Sequence, residues 1–495
     1  MNLQVNWQDK YKSKLVSPEE AVKVVKSGNR VLTPLVTKDW TLSKALFARR
    51  NELENVQIVR AGHGSNPGWL DPGYEDSFQV TLSLFVGDTA RPALDARRVD
   101  YQPGIFSLEF KALDERAATE RKGIDVLFVL TSPPDEHGFC SFGDDLWHKK
   151  EYAKRSKIVV AEVDERQIRT YGDNFIHVSD IDYFVEYTPP LLTDKEVEKI
   201  LGIIEPEERR TKLREIIMSI EIERRSNWVP VLLDVKTEHL GFLPQVIGTG
   251  EPDQEVKQIA EYVSTLVKDG DCLQFGTGAP SAQLVRCGIL DNKHDLGIHS
   301  EIACKGVVER IWSGIITGKR KNLHTGKAIF TALSGASLKE TQWCNNNPLI
   351  ELHGVDYVTN IRTVAANDNY VAINSAISVD FTGQINAETV FSGRMWNGAL
   401  GQVDQHLGAM LSKGGRGITC LRSIGLGGAV SRIVPQFDPG TVVSIPRYFA
   451  DYVVTEYGIA RLLGKTQRER ANELIAVAHP NFRAELRTEA NNMFG

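Results

Sequence analysis

The sequence predicts an α/β protein made of two similar open α/β domains that are joined by a helical insertion. Apolar runs such as 126–130 have the pattern of parallel strands covered on both faces, and they alternate with amphipathic helical segments. A helix, a glycine turn and a strand follow one another near Ser27 and again near Asp269. We therefore expect an N-terminal domain at 1–190, a connector at 191–250 and a C-terminal domain at 251–495.

The first half opens with a predicted helix. Ser17 is its expected cap, Pro18 fits the first helical position and Glu20 completes the pattern of a capping box. Gly28 ends this helix and a strand follows at 30–34. Further apolar runs predict strands at 56–59, 126–130 and 158–163. The prolines and the glycine at 131–141 predict a loop between the last two of these strands.

The connector is dense in Glu, Lys and Arg. Isoleucine and leucine recur at helical spacing between Lys195 and Arg225, which predicts two amphipathic helices. We interpret them as a connector with one face packed on the body of the protein. A helical arm that binds a partner is the alternative.

The second half repeats the alternation. A helix at 256–263 precedes a strand at 272–275, a second helix is expected at 281–285, and a short strand emerges at 296–298. Thr466 is the expected cap of a last helix that starts near Gln467 and is followed by a polar tail. Further strands are expected at 357–359, 370–373, 417–419, 441–444 and 452–454.

Composition excludes several classes of protein. The chain of 495 residues has a net charge of −6, which argues against bulk nucleic-acid binding because that needs a basic face. Its six cysteines are scattered without metal-ligand spacing, so we expect reduced thiols and no metal site. The N-terminus lacks a signal pattern, and no run approaches the about 18 apolar residues of a membrane span. The expected location is cytoplasmic, with no membrane contact.

One stretch carries the strongest chemical signal. Glu301 follows the strand at 296–298 and lies between two glycine-rich turns, at 275–280 and 397–404. A carboxylate can act as a nucleophile, and glycine turns can present backbone N–H groups to an oxyanion, so this combination suits acyl transfer. The first turn is neither a dinucleotide fingerprint, since Ser281 replaces the third glycine, nor a Walker A loop. His299 is interpreted mainly as a core or second-shell histidine.

Taken together, the motifs resemble the acetyl-CoA hydrolase/transferase group of class I coenzyme A transferases, and most closely its 4-hydroxybutyrate and butyrate:acetate CoA-transferases. The resemblance covers nearly the whole chain apart from about 191–250. It is carried by Gly-x-Gly at 276–278, Leu-Gly-Ile-His-Ser-Glu at 296–301, Asp-x-x-Gly-Gln-Ile-Asn at 380–386, Asn-Gly-x-x-Gly-Gln-Val-Asp at 397–404 and Ser-Lys-Gly-Gly at 412–415, with further segments at 132–138, 451–460 and 478–480.

The resemblance implies roles for individual residues. Glu301 matches the nucleophilic glutamate of the family, and Thr277 and Gly401 match its two oxyanion N–H donors. One departure is Leu400, which stands where the family usually has glycine and is expected to narrow or reshape the acyl pocket. The positions that match CoA-contacting residues are Gly276, Thr277, Gly278, Ala279, Pro280, Ile377, Asn397, Gly401 and Lys413.

The implied activity is transfer of CoA from an acyl-CoA to a free carboxylic acid through a glutamyl-CoA thioester. Coenzyme A is then substrate and covalent intermediate, and neither metal nor nucleotide is required. Acyl-CoA hydrolysis and non-catalytic CoA binding are the alternatives. A homo-oligomer, dimer or larger, is expected because it is common in the family.

Overall fold

The computed structural model describes residues 7–34, 41–62, 64, 66–120, 123–242, 250–390 and 393–495. Its strands, in chain order, are β1 (Arg30–Thr33), β2 (Val56–Arg60), β3 (Phe78–Ser83), β4 (Val99–Gln102), β5 (Ile124–Thr131), β6 (Phe139–Ser141), β7 (Ser156–Val163), β8 (Tyr171–Gly172), β9 (Phe175–His177), β10 (Tyr183–Glu186), β11 (Cys272–Phe275), β12 (Gly297–Ile298), β13 (Ala328–Phe330), β14 (Ile350–Leu352), β15 (Tyr370–Ser375), β16 (Ser378–Asp380), β17 (Ile385–Asn386), β18 (Thr389–Val390), β19 (Arg394–Met395), β20 (Arg416–Cys420), β21 (Ile424–Gly425), β22 (Val430–Ser431), β23 (Ile433–Val434), β24 (Tyr452–Thr455) and β25 (Gly458–Arg461).

The α-helices of the described residues alternate with these strands. They span Trp7–Ser13, Pro18–Ala21, Leu42–Ala48, Gly87–Asp95, Glu109–Glu120, Lys149–Arg155, Asp194–Leu201, Glu207–Met218, Ile222–Asp234, Gln254–Leu266, Val307–Trp312, Leu338–Cys344, Val355–Val358, Ile361–Ala365, Gln402–Leu411, Gln467–Val477 and Pro480–Phe494.

The first large sheet is parallel throughout and uses strands from the first half of the chain. Its seven strands run in the order β10-β7-β5-β1-β2-β3-β4. The interior strand β5 is buried along nearly its whole length, as expected for a strand with helices on both faces. The carboxyl ends of all seven strands therefore meet at one edge of the sheet.

The second large sheet is built in the same way from the second half. Its six strands run in the order β12-β11-β15-β20-β24-β25, and every neighbouring pair is parallel except β24 with β25. A smaller three-stranded sheet, β13-β14-β8, combines strands of both halves. The predicted α/β class with two similar open sheets is confirmed.

A helical segment separates the strands of the two large sheets. Its helices Asp194–Leu201, Glu207–Met218 and Ile222–Asp234 enclose an apolar cluster of their own, which includes Leu213 and Val229. Arg224 fastens it to the body by donating to the carbonyl of Ala336 at 2.6 Å. The helical insertion is confirmed, with three helices where the sequence predicted two, and positions 243–249 of the predicted connector lie outside the described residues.

Several predicted strands and helices have the expected type. They are the strands at 30–34, 56–59, 126–130, 158–163, 272–275, 296–298, 370–373, 417–419 and 452–454 and the helices at 256–263 and from Gln467. Thr466 caps the last of these with a complete capping box. Ser17 also caps its helix, but Glu20 pairs with Lys23 rather than completing a capping box.

Two predicted strands are wrong, and two further segments have a helical form that the sequence did not specify. The segment 357–359 belongs to the helix Val355–Val358, whose buried valines are three residues apart, a helical spacing. The segment 441–444 is not a strand: Val442 donates its N–H to a side-chain hydroxyl, that of Thr389, rather than to a backbone carbonyl, so no continuous ladder forms. The helix at 281–285 is the 3-10 helix Ser281–Cys287. The polar tail is the helix Pro480–Phe494, which buries Leu486.

Candidate active site

The main chain of Glu301 is fixed on both sides. The residue lies three positions after the end of β12, and its carbonyl accepts hydrogen bonds from the N–H groups of Thr331 at 3.1 Å and Ala332 at 3.0 Å. The preceding Ser300 donates its N–H to the carbonyl of Ile329 at 3.0 Å. Glu301 therefore lies at the carboxyl edge of the second sheet, held against the strand β13 of the smaller sheet.

The Glu301 side chain is buried and incompletely bonded. It is 4% exposed, and its Oε2 has no hydrogen-bond partner among the described residues. Burial raises the pKa of this carboxyl to about 8, and the negative charge of Asp404 adds to the shift. A desolvated carboxylate oxygen without a hydrogen-bond partner is reactive, because no hydrogen bond to it must be broken before it attacks.

Gly401 contacts that carboxylate. It caps the helix Gln402–Leu411, and its own carbonyl accepts from the N–H of Gln405 at 2.8 Å. A Cβ atom built on Gly401 would lie 1.8 Å from Oε2 of Glu301, so the absence of a side chain is what lets the carboxylate lie there. The N-terminus of the helix carries partial positive charge and favours an anion at this point.

The first glycine turn leaves β11 at the same edge of the sheet. Thr277, Gly278 and Ala279 are exposed, whereas Gly276 is buried and donates its N–H to the carbonyl of Ile373 at 2.8 Å. The turn thus presents three consecutive residues to solvent directly after a buried strand, in the position expected for a ligand-binding loop.

Side chains below this turn hold it in shape. The carbonyl of Gly278 accepts from the hydroxyls of Ser281 at 2.8 Å and Ser375 at 3.0 Å. The Cys304 thiol lies 3.7 Å from the Gly276 carbonyl. Burial raises the pKa of this thiol to about 12, with the charge of Glu301 contributing, so the turn and Glu301 share a neighbour.

The second glycine turn packs on the first sheet. A Cβ on Gly398 would lie 1.8 Å from the carbonyl oxygen of Leu84, which follows β3, and 2.6 Å from the hydroxyl of Tyr101 on β4. Asp404 accepts hydrogen bonds from the Ser107 N–H at 3.2 Å and hydroxyl at 2.6 Å. The carboxyl edges of the two large sheets therefore meet around Glu301.

Two further contacts hold the second turn. The Glu388 carbonyl accepts from the N–H groups of Trp396 at 2.7 Å and Asn397 at 3.1 Å. Arg91 donates to the Trp396 carbonyl at 2.6 Å and its guanidinium lies 3.9 Å from the centre of the Trp396 ring. This cation–π contact joins the first half of the chain to the turn.

Two of the other predicted CoA-contacting residues lie at this edge as well. Ile377 follows β15 and is half-buried, with its N–H donated to the Asn386 carbonyl at 2.8 Å. Asn397 is half-buried in the second turn and accepts at Oδ1 from the N–H of Gly398 at 2.9 Å.

Lys413 does not join the predicted site. It follows the far end of the helix that Gly401 caps, and a helix of that length spans about 15 Å. Its carbonyl accepts from the N–H of Asn369, immediately before β15, so Lys413 lies at the opposite edge of the sheet. The expectation that Lys413 contacts CoA beside the other residues does not fit this placement.

One basic residue at the carboxyl edge of the second sheet was not predicted from the sequence. Arg422 follows β20 and forms ion pairs with Asp253, at 2.6 Å, and with Glu255. The predicted strand at 417–419 was a signal for it, because charged residues that follow parallel strands collect at the carboxyl edge. Phe106 and Ser107, which reach the site from the first half, carry no motif.

His299 is a core residue. It is buried, and its Nε2 lies 2.9 Å from the Val358 carbonyl, while Tyr370 donates its hydroxyl to the His299 carbonyl at 2.6 Å. Burial lowers the pKa of the His299 imidazole well below its usual value. A neutral, buried histidine that contacts the Val358 carbonyl agrees with the interpretation of His299 as a core residue.

Comparison with known proteins agrees with this arrangement. Residues 1–191 match the acetyl-CoA hydrolase/transferase N-terminal domain, and residues 338–490 match the C-terminal domain of the same family. The chain is 38% identical to a 4-hydroxybutyrate coenzyme A transferase of Clostridium kluyveri over 99% of this chain and 100% of the relative. It is 33% identical to a succinyl-CoA:cyclohexane-1-carboxylate CoA transferase of Geobacter metallireducens over 99% and 98%.

Among solved structures, RipA from Yersinia pestis superimposes with a TM-score of 0.78 at 29% identity, over 99% of both chains. The match covers both large sheets and the helical segment between them. The protein thus belongs to the acetyl-CoA hydrolase/transferase family.

Proposed function

We propose that the protein is an acyl-CoA:carboxylate CoA-transferase in which Glu301 is the covalent nucleophile. The observation that carries the proposal is the buried Glu301 carboxylate, whose unpartnered Oε2 lies against Gly401 at a helix N-terminus. Relatives that the chain matches over nearly their whole length are CoA-transferases, which favours transfer as the reaction. The acids exchanged belong to the class of acetate, butyrate or 4-hydroxybutyrate.

The reaction proceeds by two exchanges at the Glu301 carboxylate. Its oxygen attacks the thioester carbonyl, the carbon–sulfur bond breaks and CoA leaves as a thiolate, which gives a mixed anhydride. The thiolate then attacks the glutamyl carbonyl and releases the first acid, leaving a glutamyl-CoA thioester. A second carboxylate reverses these steps and leaves as its CoA ester. The thioester energy is retained, so neither metal nor nucleotide takes part.

Each tetrahedral intermediate carries an oxyanion that needs preorganised donors. We assign this role to the backbone N–H groups of Thr277 and Gly401. Support comes from the exposure of Thr277 directly after β11 and from the contact between Gly401 and the Glu301 carboxylate. Loss of one donor of this kind typically slows a reaction about 10²–10³-fold.

Coenzyme A is assigned to the exposed first turn and to the edge beside it. The contacting residues in this proposal are Gly276, Thr277, Gly278, Ala279, Pro280, Ile377, Asn397 and Gly401. Lys413 is left out because it lies at the other edge of the sheet. The bulk of Leu400, half-buried next to Gly401, narrows the acyl end of the pocket.

Trapping the covalent intermediate tests the nucleophile. Incubation with an acyl-CoA followed by borohydride reduces the glutamyl-CoA thioester to an alcohol, and we expect mass spectrometry of peptides to locate it at residue 301. Glu301→Gln should give no label and no transfer. Glu309→Gln, which changes an exposed glutamate, is the matched control and should behave as the wild type. Label at any other residue contradicts the assignment.

Hydrolysis remains the second candidate because the family contains both activities. The two reactions share the nucleophile and differ in the fate of the glutamyl-CoA thioester, which a carboxylic acid converts to a new acyl-CoA in transfer and water cleaves to free CoA in hydrolysis. For a transferase, release of the first acid beyond one equivalent per active site should depend on an added acceptor such as acetate, with a new acyl-CoA formed in equal amount to this further release. Acceptor-independent release of CoA would identify a hydrolase.

The remaining expectations belong to the same proposal. We propose domain boundaries at 1–190, 191–250 and 251–495. We also propose that the protein is a homo-oligomer and is located in the cytoplasm. Among the described residues, none of the helices is both long and apolar enough to cross a bilayer.

A further inference from the structure

Two histidines and a glutamate meet where the turn before β13 approaches β14. Nδ1 of His324 lies 3.4 Å from Oε2 of Glu351, and Nε2 of His353 lies 3.0 Å from the same oxygen. One ligand atom from each of the three side chains fits within a span of 4.8 Å. All three are partly exposed, with 18–23% of each side chain open to solvent.

The fold explains why these residues meet. Glu351 lies on β14 and His353 two positions later, so their side chains share one face of the strand. His324 comes from the turn before β13, the neighbour of β14, and its φ of +49° is the left-handed conformation that a non-glycine residue seldom adopts. The turn is closed by the Gly326 N–H, which donates to the Gly318 carbonyl at 2.9 Å.

The distances between the ligand atoms agree with those around a tetrahedrally coordinated metal ion. Zinc–nitrogen bonds of about 2.0–2.1 Å place neighbouring ligand atoms about 3.3 Å apart. The two distances of 3.0 and 3.4 Å to the Glu351 oxygen bracket that value. Two imidazoles and one carboxylate are also a common ligand set of zinc sites that keep an open position.

The groups behind the ligands have the arrangement that metal-bound histidines require. Nε2 of His324 lies 2.7 Å from the Tyr357 hydroxyl, which leaves Nδ1 directed to the cluster. The other oxygen of Glu351, Oε1, lies 3.6 Å from Nζ of Lys327. The lysine thus occupies one carboxylate oxygen and leaves Oε2 to the two imidazoles.

The cluster opens into a cavity. Its volume is 610 Å³, and besides the three ligands it is lined by Lys150, Glu151, Asp173, Asp356, Tyr357 and their neighbours. Glu301, Thr277 and Gly401 do not line it, so it is separate from the proposed transferase site. A fourth coordination position that points into a cavity can hold water or a small ligand.

We propose that His324, Glu351 and His353 form a binding site for a divalent transition metal of the zinc class, with one coordination position open to this cavity. No local motif predicts this site, because His324 is far from the other two ligands along the chain. The metal would tie the turn at 318–326 to β14. The site is independent of the proposed acyl transfer.

Metal binding by the full-length protein tests the proposal. After treatment with a chelator and desalting, we expect Zn²⁺ titration by calorimetry to show one tight site per chain and a higher Tm with Zn²⁺ than without it. Co²⁺ in place of Zn²⁺ should give the visible absorption bands of a four-coordinate site. Absence of a stoichiometric site in the wild type overturns the proposal.

Variants locate the site. His353→Gln and Glu351→Gln should each abolish the stoichiometric site and the Zn²⁺-dependent rise in Tm, and Tyr357→Phe should weaken affinity about 10–100-fold by releasing His324. His137→Gln is the matched control, since it removes an exposed histidine whose Nε2 lies 3.6 Å from Oε1 of Glu136. Unchanged binding in the ligand variants, with Tm in chelator confirming that they fold, contradicts the assignment.

Discussion

Gly401 and Oε2 of Glu301 are so close that the position of a Cβ atom on residue 401 lies only 1.8 Å from that oxygen and 3.0 Å from the carboxyl carbon. Phe106 closes the same space, with its Cδ2 at 3.3 Å. Both the ring and the carboxylate are buried. The turn and the carboxylate are therefore matched to each other in shape.

Replacement of Gly401 by alanine should remove activity while leaving most of the fold intact. The added methyl group must displace the carboxylate or the turn, and a displacement of about 1 Å at a reacting group costs about 10²-fold in rate. We expect kcat/KM for CoA transfer to fall by at least that factor. The measurement is initial-rate kinetics with an acyl-CoA donor and acetate.

Gly202→Ala is the control for this variant. A Cβ at Gly202 meets no atom closer than 3.4 Å, so the rate and the Tm should stay near the wild-type values. Transfer by Gly401→Ala at the wild-type rate would show that the carboxylate is not held where the proposed reaction needs it.

Asp404 should contribute to the pH dependence of the reaction. Burial, and to a smaller degree the negative charge of Asp404, raise the pKa of the Glu301 carboxyl to about 8, and attack requires the ionised form. For the wild type, kcat/KM should therefore rise with pH up to about 8. Asp404→Asn removes the like charge, so the rise should shift to lower pH.

The control for this shift is Asp9→Asn, which removes the same charge from an exposed position on the first helix. Its profile should coincide with that of the wild type. A rise in kcat/KM that stays at the same pH in Asp404→Asn would show that Asp404 does not act on the Glu301 carboxyl.

Much of the fold follows from local patterns. Strands such as β5 and β7 contain runs of β-branched and apolar residues, which is the pattern of a parallel strand with helices packed on both faces. The strand predictions at 357–359 and 441–444 were wrong because short segments of β-branched and aromatic residues, Tyr-Val-Thr and Thr-Val-Val-Ser, do not distinguish a strand from a helix or an extended loop. Their structure is decided by tertiary contacts, such as the bond from Val442 to Thr389.

The site was predictable to a lesser extent. The motifs located Glu301 and both glycine turns because these lie at strand or helix ends within one half of the chain. The first half's contribution was not predictable, since Ser107 and Asp404 are 297 positions apart and the bond between them follows no local periodicity. For the same reason nothing indicated that Lys413 would lie at the far edge of its sheet.

Glu301 should reduce the stability of the folded protein at high pH. Its pKa is raised on folding, so the protein loses stability as the pH rises from the unfolded value to about 8 and levels off above it. Glu301→Gln cannot ionise and avoids this loss. We expect the variant to be more stable by roughly 4–5 kcal/mol at and above pH 8, and near the wild type at low pH.

Thermal unfolding of both proteins across this pH range measures the difference. Glu309→Gln, the exposed control, should show no pH-dependent change relative to the wild type. Equal Tm values for Glu301→Gln and the wild type at every pH would mean that Glu301 does not ionise at a cost in the folded state.

Leu400 should determine which acyl groups the enzyme accepts. It precedes Gly401 in the second turn with a φ of +51°, a conformation that favours glycine, and its half-buried side chain packs against the main apolar core. Leu400→Gly relieves the backbone strain and opens space beside Glu301. Because each methylene in an apolar pocket changes discrimination about 10–200-fold, we expect the ratio of kcat/KM for longer acyl-CoA donors over acetyl-CoA to rise at least about 10-fold.

A matched variant separates the effect of the side chain from that of the backbone. Leu426 has the same φ of +51° but is 59% exposed, so Leu426→Gly relieves comparable strain without changing a buried pocket. It should leave the ratio of acyl-CoA preferences unchanged. If Leu400→Gly also left that ratio unchanged while retaining activity, the Leu400 side chain would not border the acyl group, and chain-length selection would lie with other residues of the second turn.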